Sequence, residues 1–192
     1  MEVCSDDAIA KFTLNDTILT DQYDLHLDYD YKDKVILDIG AEVGTSAEFF
    51  LNRGAKFVWC VEGDQRLVNL GNSNIVRHYL GRAQMLPAMW IKTPWDFEQL
   101  FCMYGWEGPQ KVNLIKIDIE GWECCMLSMN EDILAAQQEF IIDIHGKHLT
   151  KLIGAKLVKC GYKLLDDTCG DTIHAVKIVE PVKKTFTVVG EI

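Results

Sequence analysis

Five short strand-like runs, each followed by a stretch of helical periodicity, constrain this chain more than any other feature. They are VILDIG (35–40), FVWCVE (57–62), AQML (83–86), VNLIKID (112–118) and EFIIDIH (139–145). Apolar runs of this length without regular polar alternation are strands covered on both faces, as in a parallel sheet. The intervening segments read as helices. Residues 45–54 place Ala47, Phe50 and Leu51 on one face and stop at Gly54. Residues 64–80 start at an Asp64 cap, with Gly71 weakening the middle. Residues 95–104, 122–136 (with a break near Asn130) and 147–160 complete the set. Two last strands, 162–167 and 172–179, have only a tight Thr168-Cys169-Gly170-Asp171 connection between them, so they pair antiparallel. The predicted fold is α/β: a Rossmann-like, doubly wound, seven-stranded mixed sheet. It has five parallel strands, then a C-terminal antiparallel pair, with helices on both faces.

With 192 residues, one domain is expected, over 35–180. Residues 1–34 form an N-terminal arm or small hairpin, and 181–192 a C-terminal tail. The formal net charge of -10 opposes contact with phosphate backbones and anionic lipid, so neither nucleic acid nor membrane is expected as a partner. A small-molecule substrate fits better. Seven cysteines (Cys4, Cys60, Cys102, Cys124, Cys125, Cys160 and Cys169) include no CxxC and read as buried reduced thiols. The first residues lack a signal-peptide pattern, and no apolar run approaches the ~20 residues of a membrane helix. The expected location is cytoplasmic. Oligomeric state is open, a homodimer included, because Trp90, Trp95, Trp106 and Trp122 suit either an interface or a pocket wall.

Ligands of doubly wound sheets sit outside the carboxyl ends of the strands. The first end, Asp38-Ile39-Gly40-Ala41-Glu42-Val43-Gly44-Thr45, has two glycines four apart in a turn that opens a helix. Such a turn lets a ligand approach the backbone and offers free helix N–H groups to an anion. It is not GxGxxG, which argues against a nicotinamide-dependent oxidoreductase. Glu62 follows about 20 residues beyond Gly40, where a carboxylate accepts from ribose hydroxyls. Met85–Met89 is apolar and suits an adenine pocket or plain core. At the fourth end Asp118, Glu120 and Glu123 gather within six residues. Asp118 is expected to face the crevice and Glu120 to act as base or to orient substrate. Glu123 reads chiefly as a carboxylate at a helix start. His145 leaves the fifth strand beside this cluster and is a candidate proton acceptor near neutral pH. His26, His78, His148 and His174 default to surface or structural roles. No metal is expected, although Asp118, Asp143 and His145 would share one rim if the fifth strand stays regular.

On VILDIGAEVGTSAEFFLNRGAKFVWCVEGD (35–64), LIKIDIEGWECCML (114–127) and FIIDIH (140–145), the chain resembles the FkbM-type methyltransferases. The likeness spans roughly residues 33–180. It implies S-adenosylmethionine as cofactor and transfer of a methyl group to oxygen on a small hydroxylated acceptor, sugar-like or another metabolite. By position, Asp38, Gly40 and Gly44, with Ala41 inside the turn, would meet the methionine end. Glu62, with Gly63 beside it, would hold the ribose, and Asp118 would border the sulfonium. Asp118, Glu120 and His145 would form the catalytic group. Two positions depart from the pattern: Glu42 stands where the family often has Asn, and Gly63 where it often has Pro. A non-catalytic nucleoside-binding module of the same fold, acting through a partner, is the alternative.

Overall fold

The computed structural model describes residues 29–106, 111–165 and 171–178. Most of the arm, the tail, and all but Asp171 of the connection expected at 168–171 lie outside the described residues. The strands are β1 (Val35–Ile39), β2 (Phe57–Val61), β3 (Ala83–Met85), β4 (Leu114–Ile117), β5 (Glu139–Asp143), β6 (Tyr162–Leu164) and β7 (Thr172–Lys177). They form one seven-stranded sheet in the order β3-β2-β1-β4-β5-β7-β6. The first five are parallel, and β7 runs antiparallel to both β5 and β6. The expected fold is therefore observed. The strand order reverses between β1 and β4, which opens a crevice at their carboxyl ends.

Alternation along each strand splits the core in two. Ile36, Val58, Cys60, Leu114 and Ile141 point to one face. There they meet α1 (Thr45–Asn52) and α2 (Gln65–His78), through Phe50, Leu51, Val68 and Ile75. Leu37, Ile39, Trp59, Ile115, Ile117, Phe140 and Ile142 point to the other. That face is covered by α3 (Pro94–Leu100), α4 (Glu131–Ala135) and α5 (Lys147–Lys159). Fully burying one such side chain contributes about 1.5–3 kcal/mol, so two complete faces anchor the strand ends that carry the site.

Helix starts follow their caps. Asp64 accepts from Arg66 N and begins α2 where expected. Thr93 and Asp96 form a capping box with Pro94 at the first helical position, so α3 starts at Pro94 and passes into a π-helical turn at Phe101–Trp106. The single helix expected over 122–136 is two pieces. A 3-10 helix spans Trp122–Ser128, Met129 is extended, and Asn130 caps α4 by accepting from Asp132 N.

The described end of the arm is tied to the sheet. Tyr31 is buried against Phe49 and Phe50. The Tyr29 hydroxyl donates to Glu139, Lys34 Nζ pairs with Glu139 Oε2 at 2.6 Å, and His174 Nε2 lies 2.7 Å from Glu139 Oε1. His174 is thus structural, as expected. The thiols differ in part from expectation. Cys60 and Cys160 are buried, but Cys124 is exposed because the 3-10 helix turns it outward. Among the described residues no helix is long and apolar enough to cross a membrane.

Candidate active site at the carboxyl ends of the strands

The glycine turn is built around one close approach. Gly40 has φ 82, and a Cβ there would lie 1.6 Å from the carbonyl oxygen of Asp118. Glycine is required at this position, and the backbone that comes close is the protein's own. Gly40 N and Ala41 N both donate to Val61 O, at 2.9 and 3.0 Å. The turn is thereby clamped between β2 and the end of β4. Gly44, with φ 89, opens α1 without a side-chain cap. Glu42 sits between them with φ 47, a left-handed conformation that Asn tolerates better than most residues. Its side chain is exposed. Its N–H donates to Glu62 Oε2 at 3.1 Å, while Glu62 Oε1 accepts from Asp64 N at 2.8 Å. Glu62 thus joins the turn to the loop after β2, and each oxygen keeps a lone pair for a further donor.

Beneath the turn lies a charge pair that motif reading missed. Asp38 and Lys116 are register partners on β1 and β4, and both are buried. Lys116 Nζ stands 3.1 Å from Asp38 Oδ1, donates to Gly40 O at 2.9 Å and lies 3.8 Å from Asp118 Oδ2. The Ser46 hydroxyl donates to Asp38 Oδ2. Asp38 is fully enclosed, so it acts through Ser46 and Lys116 by holding the turn. The signal available in the sequence was a lysine inside an otherwise apolar strand, since a buried cation needs a partner.

The carboxylate cluster assembles around His145. Its Nε2 lies 3.3 Å from Glu120 Oε2 and 4.0 Å from Asp118 Oδ1, and its Nδ1 lies 3.3 Å from Glu123 Oε1. The three carboxylates are unlike one another. Glu120 is 84% exposed on a residue with φ 54, Asp118 is mostly covered, and Glu123 is fully buried. Glu123 accepts from Ile119 N at 2.8 Å and Gly121 N at 3.0 Å, which fixes the loop carrying Glu120. It stands in the first turn of the 3-10 helix, as expected, and is also a buried clamp on the preceding loop. Burial works against a charged imidazole, but Glu123, Glu120 and Asp118 outweigh it and raise the His145 pKa. Asp143 is pushed up by burial and by the nearby Asp118 carboxylate. Donor atoms of Asp118, Asp143 and His145 come within 4.8 Å of one another, so these three form the described group within reach of a cation.

Gly63 makes room for a neighbouring ring. Its φ is not positive, so the backbone does not demand glycine. A Cβ would instead meet Trp90 Cδ2 at 2.4 Å and Cε3 at 2.5 Å. Trp90, Trp95 and Trp122 are exposed; the side chain of Trp106 lies outside the described part.

No protein-family profile matches the sequence, and no curated protein matches it. Solved structures do resemble the fold. A provisionally assigned RNA methyltransferase from Pyrococcus horikoshii superposes with a TM-score of 0.57 at 16% identity, covering 90% of this chain and 85% of that one. A provisionally assigned S-adenosylmethionine-dependent methyltransferase from Listeria monocytogenes gives 0.55 at 12% identity, covering 83% and 98%. Magnesium protoporphyrin IX methyltransferase from Synechocystis PCC 6803, with its S-adenosylmethionine bound, gives 0.54 at 13%, covering 93% and 86%. At such identities the likeness defines the architecture: this chain has the fold of S-adenosylmethionine-dependent methyltransferases.

Proposed function

We propose that this protein is an S-adenosylmethionine-dependent O-methyltransferase of the FkbM type, acting on a small hydroxylated acceptor, sugar-like or another metabolite. The observation that carries the reading is the convergence on one crevice of two unlike features. The Gly40 turn and Glu62 suit a nucleoside cofactor, and a histidine ringed by carboxylates suits removal of a proton. The residues fit the cofactor in chemistry. Glu62 has lone pairs for ribose hydroxyls beside a turn in which Gly40 admits no side chain. Asp118 offers negative charge where a sulfonium would be bordered.

Bound S-adenosylmethionine supplies an electrophilic methyl group on a positive sulfur. The protein's part is to align an acceptor hydroxyl with that methyl and to take its proton. His145 Nε2 would take the acceptor hydroxyl's proton as the methyl group passes from the sulfur to that oxygen. Glu123 holds the other ring nitrogen, Nδ1, and so orients the ring. Glu120 and Asp118 stabilise the resulting imidazolium, and Glu120, being exposed, also reaches the acceptor. Positioning of this kind accounts for a large share of a methyl transferase's acceleration.

Calorimetry with S-adenosylmethionine and S-adenosylhomocysteine, followed by label transfer from methyl-labelled cofactor to hydroxylated small molecules, tests the reading. Binding with transfer that is lost in His145→Ala supports it. Binding with no transfer to any acceptor supports a cofactor-binding module instead, and absence of binding rejects both.

A further inference from the structure

Lys92 is held in place by groups that leave its charge unneutralised. Its N–H donates to Asp96 Oδ2 at 3.0 Å, and its carbonyl accepts from Cys125 Sγ at 3.3 Å. The backbone is thus fixed between the start of α3 and the 3-10 helix after β4. The side chain runs to two indoles: Nζ lies 4.8 Å from the Trp90 ring centroid and 5.9 Å from that of Trp122. Both lie within the ~6 Å at which a ring face attracts a cation. That attraction positions the ammonium but brings no negative charge to it. Among the described residues, no carboxylate oxygen lies within 4.0 Å of Nζ. The neighbouring Asp96 is engaged elsewhere, accepting from Lys92 N, Thr93 N and the Thr93 hydroxyl.

The two indoles place this ammonium on the rim of the crevice. Trp122 follows Glu120 by two residues and directly precedes Glu123, and both carboxylates flank the His145 ring. Trp90 rests on Gly63, which follows Glu62. The rim is therefore divided by charge, with Asp118, Glu120 and Asp143 around His145 and the Lys92 ammonium apart from them. A molecule carrying a hydroxyl at one end and an anion at the other has one favourable orientation there. Its anion is repelled by the carboxylates and drawn to Lys92, which turns the hydroxyl toward His145. We propose that Lys92 binds an anionic group, carboxylate or phosphate, of the acceptor, so that the substrates of this site are small hydroxylated anions. The inference rests on the methyl-transfer reading above and deepens it by naming the charge of the acceptor. The net charge of -10 does not oppose it. A polyanion meets the charge of a broad surface, whereas a small anion responds mainly to charges within a screening length of about 8 Å.

The test is label transfer from methyl-labelled cofactor, by the full-length protein, to acceptors matched in scaffold and differing in charge. Glucose is compared with glucuronate and glucose 6-phosphate, and catechol with 3,4-dihydroxybenzoate. Wild type is expected to favour the anionic members, by a ratio of kcat/KM that shrinks as salt is added. The glucuronate and glucose 6-phosphate arms show whether a carboxylate or a phosphate is read. Lys92→Gln is expected to narrow the ratio by about tenfold, chiefly through a higher KM for the anionic member. Lys92→Arg, which keeps the charge and its attraction to the indoles, is expected to retain the ratio. If wild type uses neutral members as well as or better than their anionic siblings, the inference is wrong while the methyl-transfer reading stands. A preference for anions that survives Lys92→Gln also overturns it, because the charge is then read elsewhere. If wild type methylates no member of either series, the inference fails together with the reading it rests on.

Discussion

Lys116 Nζ lies 3.1 Å from Asp38 Oδ1 on the neighbouring strand, with both side chains buried. The same ammonium holds the Gly40 carbonyl, so one cation ties the glycine turn to the strand bearing Asp118. Removing one partner of a buried pair leaves an uncompensated charge, which costs about 3–5 kcal/mol. Lys116→Met is therefore expected to destabilise by that amount in denaturant unfolding. Adding Asp38→Asn removes the stranded charge, so the double variant is expected to lose clearly less than the sum of the single losses. Additive losses would show that the two groups do not act as a pair.

In the proposed reaction, the carboxylates around His145 set the pH dependence. A base must be neutral, and the folded pKa of His145 is raised above the ordinary value of 6.5. The acid limb of kcat/KM is accordingly expected above that value. Glu123→Gln removes one of the surrounding charges and moves the limb toward lower pH. The stability linkage has the sign of a raised group: the contribution is complete below the ordinary histidine range and is lost as pH rises through the folded pKa. His145→Ala is expected to lower turnover by about 10²–10⁴ and to abolish the limb, as measured by initial rates across pH.

Local pattern made the strands and most helices legible, because burial on both faces leaves long apolar runs such as VILDI and EFIID. The carboxyl-end rule then brought Glu62, Asp118, Glu120 and His145 into view as candidates. What stayed hidden depends on contacts between elements. The Asp38–Lys116 pair requires knowing that β1 lies beside β4 in register. Gly63 looks like a loop residue until Trp90 is seen resting on it. Glu123 matches a helix-start residue, and only the folded loop shows that it accepts from Ile119 N and Gly121 N. The split at Met129 was partly visible, since Asn130 is a good cap, but the 3-10 geometry before it has no clear local signature.

A second acid-sensitive group lies at the start of β5. Glu139 is buried, and burial alone would raise its pKa. Its bonds to His174, Lys34 and Tyr29 overcome this and lower it. A depressed carboxyl contributes stability that is complete above its unfolded pKa and lost as pH falls toward the folded one. Thermal stability is expected to drop on acidification through the carboxylate range. Glu139→Gln, which removes the carboxylate that Lys34 and His174 share, is expected to cost about 3 kcal/mol at neutral pH and to flatten that acid dependence. An unchanged melting profile would show that the Glu139 contacts do not help hold the described end of the arm.

Asp118, Asp143 and His145 come close enough to raise a competing role for the histidine, as ligand rather than base. Charge balance argues for the base. Lys116 Nζ lies 3.8 Å from Asp118 Oδ2, so a cationic group of the protein already stands beside this carboxylate. A divalent ion would have to compete with a buried ammonium that cannot move without releasing Asp38 and Gly40. Methyl transfer is therefore expected to be unchanged by chelator, and Lys116→Met is expected to create a need for a divalent cation where none existed. Activity of the wild type that disappears with chelator and returns with Mg²⁺ would make His145 a ligand and pass the proton to Glu120.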